Sequence, residues 1–469
     1  MNKNLLSAIA VTTLLTACAG GGPKTVEKKE AMNKFTGAKG EVKLMTLDPG
    51  HFHAALIQKS MYDQIDPNVY VYAPEGTDVT DHLARIDAFN KRADNPTAWI
   101  ENVYIKPDYL EKMLSDHPGN VVVLAGNNAR KIEYIQKSVE AGLNVLADKP
   151  MIIVPEGFPV LEQAFKTAEQ KGVILYDIMT ERSEITTIVQ RELARTPEVF
   201  GGLVDGTPEE PAITEESVHY FAKMVSGVAL QRPSWFFDTA QQGEGIVDVT
   251  THLVDLVQWG AFPEVILKKT DVELLSAKRW ATSLTPEQFE QVTSLKEFPE
   301  SLKKDVENNK LQVYANGEIT YRLKGKLARV SVTWNFEAPE GTGDSHQSIM
   351  RGNRCNVVIR QGKEEAYKPT VYIEANITKD LTGFEDGLRK AIEQDIAATY
   401  PGLKLKKLSD KLWMVEIPDQ YKLGHEAHFA EVTNRFLSYL QEGKLPQWEV
   451  PNMLTKYYTT TEALKLAKK

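Results

Sequence analysis

Two stretches bring together residues whose types and spacing could do chemistry. LDPGHFHAAL, residues 47–56, follows the apolar run KLMTL and leads into HAALIQKSM. A strand, a tight turn with glycine and a helix N-terminus make a phosphate cradle. This turn holds Gly50 alone where a dinucleotide-binding turn has three glycines, and it adds Pro49, His51 and His53. Pro49 offers a phosphate no N–H, and Asp48 would repel one unless its carboxylate turns away. The second stretch is Asp248-Val249-Thr250-Thr251-His252, inside the helical pattern EGIVDVTTHLVDLVQWG. Positions i and i+4 share a helix face, so a carboxylate and an imidazole point together into one cleft.

Other polar groups read as structural or stay open. His51 and His53 are two apart, so on a helix they diverge and cannot chelate one metal well; they are expected at the helix start near a cofactor, and no metal site is expected. His425 and His428 flank Glu426 without a third placed ligand and read as a surface helix start. Arg182 follows the strand VILYDI and could bind cofactor or substrate, or pair with Glu181 or Glu184. Tyr220 and Trp235, the latter beside Phe236 and Phe237, could pack in a core or line a sugar site.

The elements that must position these residues alternate from residue 42. KLMTL, NVYVYA, NVYI, NVVVLAG, LNVLADKP and VILYDI read as strands, and helical patterns such as ARKIEYIQKSVEAG separate them. Strands alternating with helices of this length predict a doubly wound parallel sheet covered on both faces. After about residue 180 the alternation breaks. Beyond 310, LQVYANGEITYRL, ARVSVTWNFEA, NVVIRQG and TVYIEAN predict an open, mainly antiparallel sheet, and the tail from GHEAHFAEV onward is helical. The expected organisation is a Rossmann-like α/β domain over 41–180 and an α+β domain over 181–469.

VVVLAGNNARKIEYIQKSVEAGLNVLADKP, residues 121–150, resembles the second half of the nucleotide domain in the Gfo/Idh/MocA oxidoreductases. In that family a strand ends in Thr-Pro-Asn, a helix in Ala-Gly and the next strand in Glu-Lys-Pro. Here the corresponding residues are Gly126-Asn127-Asn128, Ala141-Gly142 and Asp148-Lys149-Pro150, at matching spacing. A second family signature, three glycines and then Asp-x-x-x-His, matches Gly243-Glu244-Gly245 with Asp248 and His252, and Trp235 fits the tryptophan that precedes it.

The resemblance implies catalytic roles for Lys149, Asp248 and His252. His252 would be the base for a hydroxyl proton and Lys149 would stabilise the developing alkoxide. It implies NAD, with NADP less expected, near Gly50, His51, Phe52, Asn127, Asn128, Asp148 and Lys149. Glu75 is a candidate for the adenosine ribose, and Tyr220, Trp235 and Arg182 for substrate. In the same alignment Asp48, Gly50 and His53 stand where the family's first turn has its three glycines.

The composition sets limits on partners. A net charge of −9 argues against nucleic acid. The N-terminus has a lysine, the apolar LLSAIAVTTLL and then LTAC, which reads as a secretory signal resembling the lipobox of bacterial lipoproteins and ending at Cys18. Residues 1–18 would be removed or lipidated, 19–40 would form a flexible tether, and the enzyme would sit on the periplasmic or cell-surface side. With Cys18 lipidated, Cys355 has no partner for a disulfide within the chain.

The expected activity is oxidation of a secondary hydroxyl of a sugar, glycoside or cyclitol. Outside the cytoplasm there is no pool of free nucleotide, so the cofactor is expected to stay bound. The alternatives are a carbohydrate-modifying enzyme, such as a glycosidase, that uses bound NAD in transient oxidation and elimination, and a cofactor-free sugar-binding lipoprotein. Pairing of copies through the second sheet is a weaker expectation from the same resemblance.

Overall fold

The computed structural model describes residues 35–225 and 228–469. Cys18, the signal segment and most of the tether lie outside the described residues. The first sheet comprises β1 (Leu44–Leu47), β2 (Asn68–Ala73), β3 (Ile100–Ile105), β4 (Val121–Leu124), β5 (Asn144–Asp148) and β6 (Leu175–Ile178). Its order is β3-β2-β1-β4-β5-β6, and every pairing is parallel. That is the doubly wound arrangement expected. The central strands are buried on both faces, as their unbroken apolar runs require.

The second sheet is larger and mixed. Its long members are β7 (Ile213–Ala222), then, after a small ribbon of β8 (Met224–Val225) and β9 (Val228–Ala229), β10 (Val272–Leu284). The short β11 (Val306–Glu307) leads to β12 (Lys310–Leu323), β13 (Lys326–Glu337), β14 (Ser345–Arg351) and β15 (Cys355–Arg360). β16 (Thr370–Ala375), β17 (Lys404–Ser409) and β18 (Leu412–Glu416) complete it. The order is β10-β12-β13-β7-β14-β15-β16-β18-β17, antiparallel except where β13 runs parallel to β7. Several elements have no counterpart in the sequence reading, among them β10 and the helix Thr77–Lys91. Both carry charged residues throughout, and the exposed face of each blurs its apolar period.

Three expected elements differ in extent. The helix after the first turn is a single turn, His53–Leu56, followed by a 3₁₀ turn over Ile57–Lys59. Its N-cap, Phe52, makes no side-chain cap and its first turn has no acid, so little stabilises a longer helix there. The helix of the second stretch begins at Thr250, which leaves Asp248 in the turn before it rather than one helical turn from His252. The last two helices, His425–Glu442 and Glu449–Ala467, do not serve the second domain alone, although Ala463 and Leu464 pack in its core. Phe429, Phe436, Met453 and Tyr457 lie in the core cluster of the first sheet, so the boundary drawn at 180 is crossed by the tail.

Where the two domains meet, five charges are buried together. Arg182 donates to Asp255 at 2.6 and 2.7 Å and to Glu449 at 2.9 Å. Lys456 bridges Asp177 in β6, at 2.7 Å, and Asp255 at 2.9 Å. Tyr457 donates its hydroxyl to Asp177 at 2.8 Å. Burial would raise the Asp255 carboxyl, but the two cations beside it hold it well below the carboxylate range. Arg182 is thus a structural tie and not a cofactor or substrate ligand. Its strand-end position, next to a carboxylate-bearing helix, leaves it no route to the cleft.

Removing one member of such a cluster leaves an uncompensated buried charge, which costs about 3–5 kcal/mol. Lys456→Met is therefore expected to lower the urea midpoint strongly, whereas Lys465→Met on the exposed side of the same helix changes stability by no more than about 0.5 kcal/mol.

Candidate active site

Lys149 follows the end of β5 and is buried with its ammonium donating to Asp248 Oδ1 at 2.5 Å. Asp248 Oδ2 accepts from Gln242 Nε2 at 3.0 Å, which fixes the carboxylate's plane. His252 shares a cleft with both, and its Nδ1 is buried without a partner in the structure. The three residues that the resemblance singled out therefore meet, although they come from different domains. Burial, with Lys149 adding to it, pushes His252 down to about 4. It is therefore neutral at pH 7, the form in which an imidazole can take up a proton.

The N-terminal side of the cleft is unexpectedly rich in imidazole. The rings of His51 and His53 approach to 4.0 Å between centroids, because His53 N donates to His51 Nδ1 across the turn. They precede and start a one-turn helix, so the divergence expected of a continuous helix does not apply. Asp148 accepts from His53 Nδ1 at 2.9 Å. His425, itself exposed, faces His53 from the start of the helix His425–Glu442, and His428 is buried behind it, so the expected surface helix start holds for His425 and not for His428. No sequence period could place His425 here, because its partner lies 372 positions away. Phe52 lines the same space.

The opposite wall comes from β7 and its neighbours. His219 Nδ1 donates to Asp344 Oδ2 at 2.8 Å, and Ser217 and Lys223 bond the same pair from either side. His346 bonds Glu215 at 2.8 Å. Hydroxyl, imidazole and carboxylate occur in the order of a nucleophilic triad. However, β7 is an interior strand with its backbone N–H groups committed to two ladders, so it offers no oxyanion hole. Tyr220 lies on the other face of β7 and does not line the cleft. The strand period of two puts His219 inward in its place, a parity that sequence alone did not fix.

The first turn does not supply the usual phosphate donors. Gly50 N and His51 N both donate to Ala125 O, at 3.2 and 3.1 Å. Asp48, with φ at +50°, turns its carboxylate onto the Tyr134 hydroxyl at 2.7 Å. A Cβ on Gly126 would stand 2.1 Å from Asp48 O, so the β4 turn packs against the β1 turn through a missing side chain. Above Gly50 sit Asp78 and Trp235, and the indole N–H donates to Asp78 Oδ2 at 2.7 Å. Burial pushes Asp78 up to about 6. Only about 40 Å³ remains open in this crevice.

Trp235 therefore closes the turn instead of lining the substrate cleft. Asn127 caps the helix Asn128–Glu140 and donates to Gln241, while Asn128 donates to Gln242 O; both tie the domains together. Glu75 stands exposed two residues beyond β2 and lines neither space. The cleft of about 700 Å³ has donors suited to the reacting end of a nicotinamide nucleotide. The pyrophosphate end is accommodated only if the Trp235–Asp78 pair gives way.

Comparison with known proteins follows the same lines. Residues 189–468 match the family described as "Putative oxidoreductase C terminal domain". A crystal structure of a "putative oxidoreductase" from Parabacteroides merdae is 58% identical, covers 93% of this chain and 99% of its own, and superposes with a TM-score of 0.90. A levoglucosan dehydrogenase in complex with NADH and levoglucosan shares the fold at 11% identity and a TM-score of 0.56, over 91% of this chain and 97% of its own. An Agrobacterium radiobacter oxidoreductase in complex with NAD+, L-tartaric acid and magnesium does so at 12% and 0.55, over 92% and 97%. No curated protein matches the chain in sequence. With the matched domain spanning more than half its length, the chain belongs to this oxidoreductase family.

Proposed function

We propose that the chain transfers hydride between a nicotinamide nucleotide, NAD in preference to NADP, and a secondary hydroxyl carbon of a sugar, glycoside or cyclitol. The observation that carries this reading is that Lys149, Asp248 and His252 line one cleft of about 700 Å³, with Lys149 bonded to Asp248. The opposite wall, with His219, Lys223, Asp344 and Gln361, presents the mixed donors and acceptors that a polyhydroxylated ligand needs. The complexes of related folds with levoglucosan and with tartaric acid support the substrate class.

In this reading Lys149 donates to the reacting oxygen and stabilises its negative charge. Asp248 holds the ammonium in place, and Gln242 holds Asp248. His252 presents a neutral imidazole to the hydroxyl proton. The nucleotide, when bound, supplies the hydride acceptor, and His51, Phe52 and Lys149 would flank its reacting end. A nucleotide that stays bound suits the exported, lipid-anchored location suggested by the residues before Cys18.

Three outcomes test this. Lys149→Ala is expected to lower turnover at least ~10²-fold while nucleotide still binds; turnover at the wild-type level would remove Lys149 from the mechanism. Asp78→Asn removes an anion from the crevice over Gly50 and is expected to tighten NAD binding, read by fluorescence titration. If neither wild type nor Asp78→Asn binds NAD or NADP, hydride transfer is the wrong chemistry.

The third outcome concerns pH. His252 is held neutral in the folded chain while the unfolded chain takes up a proton below 6.5. Its contribution to stability is therefore present above pH 6.5 and lost as pH falls toward 4. Between pH 7.5 and 5, wild type should lose about 2 kcal/mol more stability than His252→Gln. Equal losses would mean that His252 is not held neutral.

A further inference from the structure

Arg232 carries a charge that the folded chain leaves unmatched. It is only 7% exposed and packs against Phe236 and Trp334, whose ring centroids lie 4.4 and 5.3 Å from its guanidinium carbon. Its Nε donates to Phe221 O and its Nη2 to Tyr220 O, both at 3.0 Å, and its backbone N–H donates to Val292 O at 2.8 Å. Among the described residues Nη1 makes no hydrogen bond, and no carboxylate lies within 4.0 Å of the guanidinium. A guanidinium keeps its charge at pH 7, and a charge buried without a partner is costly. Ring faces and carbonyl dipoles offset part of that cost and leave the charge itself uncancelled.

The neighbouring cations are matched. Lys149 pairs with Asp248, and Lys223 pairs with Asp344, which also accepts from His219 Nδ1. Arg232 is the surplus positive charge on this part of the cleft wall. The two rings beside it keep water from its flank, which strengthens any ion pair it forms. Arg232 also borders the crevice over Gly50, but that space is nearly filled, and Asp78 and Asp81 in its lining repel an anion. The cleft of about 700 Å³ is the side from which an anion can reach it.

We propose that Arg232 receives a carboxylate, so that the ligand of the cleft is a sugar acid, such as a hexuronate or an aldonate, and not a neutral sugar. One unpaired guanidinium matches one monoanion, and its remaining N–H groups on Nη1 and Nη2 suit the two oxygens of a carboxylate. The hydroxyls of the same ligand find His219, Asp344 and Gln361 on the cleft wall. The inference rests on the carbohydrate reading of the cleft and narrows it to an acidic substrate.

The test is calorimetric titration of the full chain, at constant ionic strength, with glucuronate, galacturonate and gluconate and with their neutral parents glucose and galactose. At least one acid is expected to bind roughly 10–100-fold more tightly than its parent. Arg232→Gln should abolish that preference and leave affinity for neutral sugars unchanged. Arg232→Lys, which keeps the charge and loses the planar fork, should retain part of it. An arginine with a purely structural role would shift acids and neutral sugars alike, and that result overturns the proposal. ADP-ribose, titrated in parallel, separates the other anion within reach. If Arg232→Gln weakens ADP-ribose and spares the preference for acids, the arginine serves the nucleotide's phosphates and the proposal fails. Absence of any preference for acids in the wild-type chain overturns it whether or not the variants fold. Neutral sugars that bind as well as the acids leave the carbohydrate reading standing, whereas a chain that binds neither removes both.

Discussion

The buried cluster of Arg182, Lys456, Asp177, Asp255 and Glu449 sets the angle between the two domains, and the cleft depends on that angle. Asp177 lies in the last strand of the first sheet, Asp255 lies three residues beyond His252 on its helix, and Glu449 and Lys456 belong to the final helix. An apolar contact at this place would hold the domains together but would tolerate sliding. Paired charges without water admit few geometries, because each misalignment leaves a charge unsolvated. Lys149 comes from one domain and Asp248 from the other, so their contact requires this registry.

The first turn shows how a fold can keep its topology while reassigning a loop. Backbone donors that would face a phosphate are directed to Ala125 O, the carboxylate of Asp48 is directed to Tyr134, and the indole of Trp235 covers Gly50. The histidines in that turn then face the opposite direction, toward Asp148 and His425. The polar chemistry of the loop has moved from its outer edge to the domain interface.

What could be read from the chain followed the range of the interactions involved. The parallel sheet was legible because buried strands are short unbroken apolar runs between helical patterns, as in VVVLAG. Lys149, Asp248 and His252 were legible through their motifs, and the structure brings them together. Arg182 was open between two roles because its partners, Asp255 and Glu449, lie 73 and 267 positions away. Tyr220 and His219 are adjacent on one strand, and only the pairing of β7 with its neighbours decides which faces the cleft. His53 and His425 share no local pattern at all. Their meeting is a property of how the tail returns to the first domain.

That return has a bearing on how the chain matures. The core under the first sheet includes Phe429, Phe436, Met453 and Tyr457, residues from the last tenth of the chain. Domains made from the N-terminus usually close as they are synthesised. Here the N-terminal sheet has an apolar face that stays uncovered until almost the whole polypeptide is available. The early segment therefore lacks the means to lock into a compact form on its own, and its assembly waits for the helices that close it.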